Sequence, residues 1–67
     1  MPDELVEREA RTELMDALYR HAIKMHNLAF NPMLDLPKYS FVREELKAIE
    51  GRLMSIQADI GALPFNQ

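Results

Sequence analysis

Hydrophobic residues recur at alternating spacings of three and four along the last third of this 67-residue chain. They form two lines of a heptad pattern, which we call the heptad seam: Tyr39, Leu46, Leu53 and Ile60 on the first line, and Val42, Ile49, Ile56 and Leu63 on the second. An α-helix has 3.6 residues per turn, so a period of 3.5 stays on one side only if the helix wraps around another helix. The seam predicts a helix over about residues 36–63 that lies against a second helix.

The first half of the chain predicts another long helix. Neither Gly nor Pro occurs between Asp3 and Pro32, and a proline disfavours helical backbone in the residue before it, so this helix is expected over about residues 3–30. Its main apolar stripe consists of Leu14, Leu18, Ala22, Met25, Leu28 and Ala29. Because Glu7 and Arg11 interrupt the line of this stripe, residues before Glu13 are expected to project beyond the packed helices or to meet a polar surface.

The segment over about residues 31–38 contains two prolines, Pro32 and Pro37, and reads as a connecting turn. Within it, Asp35 is the expected N-cap of the second helix, with Pro37 tolerated in the first turn. One short connection between two long helices predicts that they are antiparallel neighbours.

At the other end of the second helix, Gly61 is the expected C-cap, and Pro64 prevents continuation into a short C-terminal tail. The fold class that follows is all-α: residues 1–67 form a single antiparallel two-helix hairpin with coiled-coil-like packing. The residues expected to pack the hairpin are Leu14, Leu18, Met25, Val42, Leu46, Ile49, Leu53, Ile56 and Ile60.

A second apolar group lies beside the main stripe of the first helix. It consists of Met15, Tyr19, Ile23, His26 and Phe30. A helix that is apolar on most of its circumference is normally buried on more than one side, whereas a two-helix hairpin covers only one side. We therefore expect the hairpin to be completed by a partner or by homodimerisation. The residues predicted to bind a partner are Met15, Tyr19, Ile23, Phe30, Tyr39 and Phe41.

Length and composition agree with this expectation. A single core of this size rarely contributes more than about 3–5 kcal/mol of stability without support from other bonds or chains. The chain has no Cys, which removes disulfides, and no Cys/His cluster that would form a structural zinc site. The net charge of −3 argues against a protein that chiefly binds nucleic acid. The acidic start, Met1 to Glu4, and the absence of an apolar run of about 20 residues predict a cytoplasmic protein without a membrane span.

The two histidines do not have the spacing of a metal pair. His21 and His26 are five residues apart, which places the second ring about 140° around the helix from the first. His21 falls between Leu18 and Met25 on the main stripe, so we expect a packed, hydrogen-bonded interface histidine, and we expect His26 to be half exposed. A metal-binding bundle that uses His21 across a symmetry axis remains an alternative.

The charged residues predict no catalytic chemistry. Carboxylates act as a general acid and base only where a cleft separates their pKa values, and two helices form no cleft. We therefore expect a non-enzymatic protein without catalytic residues, cofactor or metal. Arg8, Arg11, Arg20 and Lys24 make a basic face of the kind that binds RNA. Acidic residues such as Glu13 are interspersed with them and dilute the positive field, so an ordinary solvated face is favoured.

The start and middle of the second helix resemble those of the YscE-like family, the small co-chaperones of the type III secretion needle subunit. In that family a Tyr opens the second helix, a large apolar residue follows two positions later, and a basic-Ala-aliphatic-Glu-small segment lies mid-helix. Tyr39, Phe41 and the segment 47–51 fit this pattern in register. The first helix is similar through Arg11, Leu14, Ala17 and Leu18, whereas the turn is longer and the histidines are additional.

The resemblance implies a specific role. Members of the family form a heterodimer with a helical-repeat (TPR-like) chaperone, and the pair keeps the needle subunit monomeric in the cytosol by sequestering its polymerising C-terminal helix. The smaller protein chiefly stabilises the larger chaperone. The alternative that the residues leave open is a homodimeric four-helix bundle with a regulatory or RNA-binding role.

Overall fold

Two long α-helices account for most of the chain. The computed structural model describes residues 2–65. Helix α1 spans Pro2–Ala29 and helix α2 spans Ser40–Ala62. Two short 3₁₀ segments, Pro32–Asp35 and Pro37–Tyr39, form the connection.

Helices α1 and α2 run antiparallel. Near the start of α1, the Arg11 guanidinium donates to the Leu63 carbonyl at 2.7 Å, and near the start of α2, Arg43 Nε donates to the Ala29 carbonyl at 3.2 Å. The prediction of an all-α antiparallel two-helix hairpin is confirmed. The hairpin is a rod of 55 × 14 × 9 Å with a radius of gyration of 16.0 Å, against about 11 Å for a compact domain of this length.

Prolines shape the connection through the residues that precede them. Asn31 precedes Pro32 and Leu36 precedes Pro37, and both adopt extended backbone with ψ of 128° and 135°, as the clash with the proline ring requires. The Asn31 side chain accepts a hydrogen bond from the Met33 amide at 2.9 Å, which caps the first 3₁₀ segment.

The start of α2 differs from the prediction. The helix begins at Ser40 rather than at about residue 36, because the extended Leu36 breaks the helical path and the residues from Pro37 form a 3₁₀ turn. Asp35 is therefore not the N-cap. Tyr39 holds the N-cap position without a side-chain hydrogen bond, and the Asp35 carboxylate instead pairs with the Arg43 guanidinium.

The end of α2 is set by Pro64 and not by Gly61. No glycine among the described residues has a positive φ, and the helix continues through Gly61 to Ala62. Leu63 then turns to extended backbone, with φ −72° and ψ 138°, because it precedes Pro64. The prediction that Gly61 is the C-cap is wrong, since Leu63 holds that position.

The core between the helices is narrow. Among residues 3–65, the buried hydrophobic side chains are Ala22, Ala29 and Leu34, so Leu34, at 5% exposure, is the one large side chain in this set. Half-buried hydrophobic residues surround them: Met15, Ala17, Leu18, Met25, Tyr39, Val42, Leu46, Leu53, Ile60 and Phe65. Such a core contributes little apolar burial relative to the length of the two helices.

The side of α2 that faces α1 is rotated relative to the predicted seam. It consists of the first line of the seam and the positions four residues further on, Arg43, Glu50 and Gln57, all half-buried. Two hydrogen bonds from side chains of α2 to the backbone of α1 account for this rotation. Arg43 donates to the Ala29 carbonyl, and the Gln57 amide donates to the Met15 carbonyl at 3.0 Å. These two bonds hold that edge of α2 against α1.

Three residues predicted to pack the hairpin remain largely accessible as a result. Ile49 is 41% exposed, Ile56 is 46% exposed, and Leu14 on α1 is 48% exposed. The prediction that they form the packed interface between the two helices is corrected: they lie beside the interface, at its margin.

Candidate functional site

One row of exposed apolar residues follows α1, and we call it the partner face: Tyr19, Ile23 and Phe30. Their exposed fractions are 49%, 42% and 67%. Spacings of four and seven residues place them on one side of the helix. The structure therefore leaves half of the predicted partner-binding residues together and accessible.

Contacts with α2 identify the side of the hairpin on which the partner face lies. His26, four residues before Phe30, has Nδ1 at 3.3 Å from Glu50 Oε1 and its ring centroid at 4.8 Å from that of Phe30. The His26 side chain is 52% exposed, as predicted. Met15, four residues before Tyr19, approaches Gly61, since a Cβ on that glycine would lie 3.4 Å from Met15 Cε.

The other residues predicted to bind a partner are elsewhere or less accessible. Met15 is half-buried against α2, and Tyr39 is half-buried in the connection. Phe41 is 67% exposed, but it is two residues before Arg43, whose side chain points toward α1. Two residues correspond to about 200° on a helix, so Phe41 lies on the outer side of α2 and does not join the partner face.

A second apolar surface runs along the opposite side of the hairpin. It consists of three pairs, each with one residue of α1 and one residue of α2 or of its C-cap: Leu14 with Leu63, His21 with Ile56, and Leu28 with Ile49. We call this set the apolar ladder and each pair a rung. Seven residues return a helix to nearly the same side, so the rungs are aligned along both helices, about 10 Å apart at 1.5 Å per residue.

Contacts between the helices set the level of the rungs. Met15 is level with the stretch from Gln57 to Gly61, and His26 is level with Glu50. Counting along the two antiparallel helices from these contacts places the two members of each rung within about one helical turn of each other.

A cleft at the connecting end shows that the ladder residues of α1 and those of α2 lie on one surface of the hairpin. Leu28, Met33, Val42 and Leu46 are among the residues that line this cleft of about 180 Å³. Val42 precedes Ile49 by seven residues and therefore lies on the same line of α2. The two lines of the ladder thus meet on the side of the hairpin opposite to His26 and Glu50.

His21 is the polar member of the middle rung. The sequence predicts a packed, hydrogen-bonded histidine, but the side chain is exposed, and within residues 2–65 it makes no hydrogen bond or ion pair. The reason is the orientation of α1, which turns Ala22 and Met25 toward α2 and leaves His21 at the outer edge of that contact.

The three arginines of α1 are paired with carboxylates one turn away. Arg8 lies 3.3 Å from Glu4, Arg11 lies 3.7 Å from Glu7, and Arg20 lies 3.0 Å from Asp16. The pairing cancels most of the positive field that a phosphate backbone would require. In the part of the chain that the structure describes, no group of three His, Asp or Glu residues is placed to hold a metal ion.

The start of α1 holds the C-terminal tail, an arrangement that the sequence pattern did not predict. The guanidinium carbons of Arg8 and Arg11 lie 4.0 Å and 3.8 Å from the centroid of the Phe65 ring. Arg11 also donates to the carbonyls of Leu63 and Pro64. Arg11 thus meets a polar surface, one of the two outcomes expected for residues before Glu13. The sequence did contain a signal for this contact: two arginines lie three residues apart in α1, and the tail carries an aromatic residue that their guanidinium groups can stack on.

No family model, no curated protein and no solved structure matches this chain. Neither of the two helices, over the residues described, combines the length and apolar character that crossing a bilayer requires.

Proposed function

We propose that this chain is a non-enzymatic co-chaperone, a helical hairpin that binds a helical-repeat chaperone and so helps to keep a type III secretion needle subunit monomeric in the cytoplasm. The observation that carries the proposal is the amount of surface left uncovered. A compact monomer of 7.8 kDa is expected to expose about 4,400 Å². This chain exposes 5311 Å².

The excess, about 900 Å², is close to the area of about 800 Å² that one protein contributes to an interface of standard size. Its composition fits the same interpretation, since fourteen large hydrophobic residues among residues 3–65 are exposed. Exposed apolar patches on this scale are typical of surfaces that bind other proteins.

The partner face has the chemistry of a surface that docks in a groove. Tyr19 and Phe30 provide large aromatic contacts, which are enriched in interface cores, and Ile23 lies between them. The Arg20–Asp16 salt bridge and the contact between His26 and Glu50 border the row, as expected of a polar rim. An amphipathic helix of this kind binds in a hydrophobic groove, and helical-repeat proteins present concave surfaces that hold such helices.

The identity of the partner follows from the resemblance to the YscE-like family at residues 38–42 and 47–53. Phe41, which belongs to that resemblance, is exposed on the outer side of α2. A helical-repeat partner that wraps around the connecting end would contact both Phe30 and Phe41, because each lies close to one end of the connection.

A capture experiment with matched variants tests the proposal. The tagged chain, incubated with cytosol of its own source organism, is expected to retain a helical-repeat protein, identified by mass spectrometry. Tyr19→Asp should lose that protein, because a carboxylate cannot enter an apolar groove without a large desolvation cost. Ser55→Asp, an exposed position outside both apolar surfaces, is the control and should retain it. Equal recovery with wild type and Tyr19→Asp would count against the proposal.

Folding of the variants separates binding from stability. Tyr19→Asp should leave the helicity of the isolated chain nearly unchanged, because Tyr19 is half exposed. Leu53→Asp should unfold the chain, because it places a charge between the helices. Circular dichroism measures both. If both variants lose helicity alike, the division into a packing side and a partner face is wrong.

A further inference from the structure

We propose that the apolar ladder is covered by a second copy of the same chain, related by a two-fold axis that crosses the middle rung at right angles to the helices. This surface lies opposite the partner face, so the inference goes beyond the proposed function and leaves Tyr19, Ile23 and Phe30 free for another protein.

The spacing of the rungs suits this axis. This axis packs α1 against α1 of the second copy and α2 against α2 of the second copy, and each pair of helices is antiparallel. Each residue then faces the residue of the second copy that lies equally far from the middle rung in the opposite direction. Leu14 then meets Leu28 of the second copy, and Ile49 meets Leu63 of the second copy. Because the outer rungs are equally spaced about the middle rung, apolar side chains meet apolar side chains throughout, as an isologous interface requires.

The middle rung explains the exposed histidine. At the axis, His21 faces its own copy, and a neutral imidazole carries one N–H donor and one ring-nitrogen acceptor. One ring can therefore donate to the other across the axis, which pairs one N–H with one ring nitrogen inside an otherwise apolar layer. A single polar layer of this kind is known to fix register and orientation in helical assemblies.

Charge complementarity selects this arrangement. Arg52 and Asp59 are exposed, lie seven residues apart on the margin of the ladder, and make no ion pair with any residue among 2–65. The two-fold axis passes near Ile56, so a residue four positions before Ile56 lies level with the residue four positions after Ile56 in the second copy. Arg52 is therefore level with Asp59 of the second copy to within about one residue, or 1.5 Å along the helix. The two-fold symmetry repeats the pair, so the interface gains two ion pairs.

The other face-to-face arrangement is disfavoured by the same charges. A two-fold axis parallel to the helices would pack α2 on α1 of the second copy at equal levels. Arg52 would then lie beside Lys24 of the second copy, because His26 is level with Glu50 and two residues along each antiparallel helix bring Lys24 level with Arg52. Two like charges at the margin repel. The perpendicular axis instead places Lys24 beside the small residue Ala17 of the second copy.

Single-cysteine variants test the axis directly, since the chain has no Cys and any disulfide must join two copies. Ile56→Cys places two thiols near the axis, whereas Ile49→Cys, on the same surface with the same parent side chain, places them about 20 Å apart at 1.5 Å per residue. Under mild oxidation, Ile56→Cys should form linked dimer about tenfold faster or more, owing to its high effective concentration. Equal rates, or faster linkage of Ile49→Cys, would overturn the proposal.

Charge-reversing substitutions provide a second test. They change exposed residues, at which the fold tolerates substitution. Arg52→Asp and Asp59→Arg should each weaken dimerisation about fivefold or more, because each creates two like-charged pairs. The double variant restores opposite charges and should return to within about twofold of wild type. Sedimentation measures the dissociation constant. A wild type that sediments at the single-chain mass of 7.8 kDa, or a double variant weaker than both single variants, would refute the assignment.

Discussion

At the scale of single residues, Arg43 joins α2 both to the end of α1 and to the connection between the helices. Its Nε donates to the Ala29 carbonyl at the end of α1, and its guanidinium pairs with Asp35 in the first 3₁₀ segment. The Arg43 side chain is 29% exposed and that of Asp35 is 71% exposed. Because exposed ion pairs contribute about 0–1 kcal/mol, the better shielded bond to the carbonyl is expected to contribute more.

Replacing Arg43 by Met keeps the apolar stem of the side chain and removes both bonds. We expect the free energy of unfolding to fall by about 1–2 kcal/mol, measured by urea denaturation followed by circular dichroism. Asp35→Ala should cost about 0.5 kcal/mol or less, and Lys47→Met, at an exposed position of α2, serves as the control. An equal loss in Arg43→Met and Asp35→Ala would show that the bond to Ala29 contributes nothing.

The Phe65 ring, in the tail that contacts Arg8 and Arg11, is the second feature at the scale of single residues. Phe65→Ala removes both cation–π contacts, each worth about 0.5–1 kcal/mol at an exposed site. Amide hydrogen exchange should accelerate in the first three turns of α1 and stay unchanged near Ala22. Phe41→Ala, which removes an exposed ring elsewhere, should leave exchange in those turns unchanged. Unaltered exchange in Phe65→Ala would contradict the role assigned to the tail.

At the scale of elements, α2 carries a glycine in open space. A Cβ added at Gly51 would meet no atom within 4 Å, and glycine in a helix interior costs up to about 1 kcal/mol relative to alanine. Gly51→Ala should therefore raise the unfolding midpoint in urea. At Gly61 the added Cβ would lie 3.4 Å from Met15 Cε, so Gly61→Ala should gain less. A lower midpoint for Gly51→Ala would indicate that another chain approaches closely at that position.

The boundaries of these elements show which signals in a sequence act locally. Pro32 and Pro64 end α1 and α2 because each imposes extended backbone on the residue before it. The same rule, applied to Leu36 and Pro37, would have moved the predicted start of α2 toward Ser40, so that signal was present in the sequence and was missed.

The rotation of α2 about its own axis could not be predicted from the sequence pattern. A heptad pattern shows that two lines of apolar residues share a side, but not which line faces the neighbouring helix. That choice depends on Arg43 and Gln57 bonding to backbone carbonyls of α1, and a carbonyl is available at every residue. For the same reason the sequence predicted the exposed partner face but not the apolar ladder, whose residues it assigned to hairpin packing.

At the scale of the whole molecule, the hairpin is a thin rod with apolar residues on both broad sides. The partner face and the apolar ladder lie on opposite sides, so one chain can bind two others without competition. With Ala22, Ala29 and Leu34 as the buried hydrophobic residues of the described chain, the hairpin's stability is expected to depend on the chains that cover it.

The central claim is that another chain covers this hairpin in solution, and the thermal midpoint of the purified protein as a function of its concentration tests that claim most directly. Association that stabilises the folded state makes the midpoint depend on concentration. Over a dilution of about a hundredfold, we expect the midpoint to fall steadily while the helical signal before melting decreases. A sharp transition at the same temperature across the series, together with the mass of a single chain, would contradict the claim.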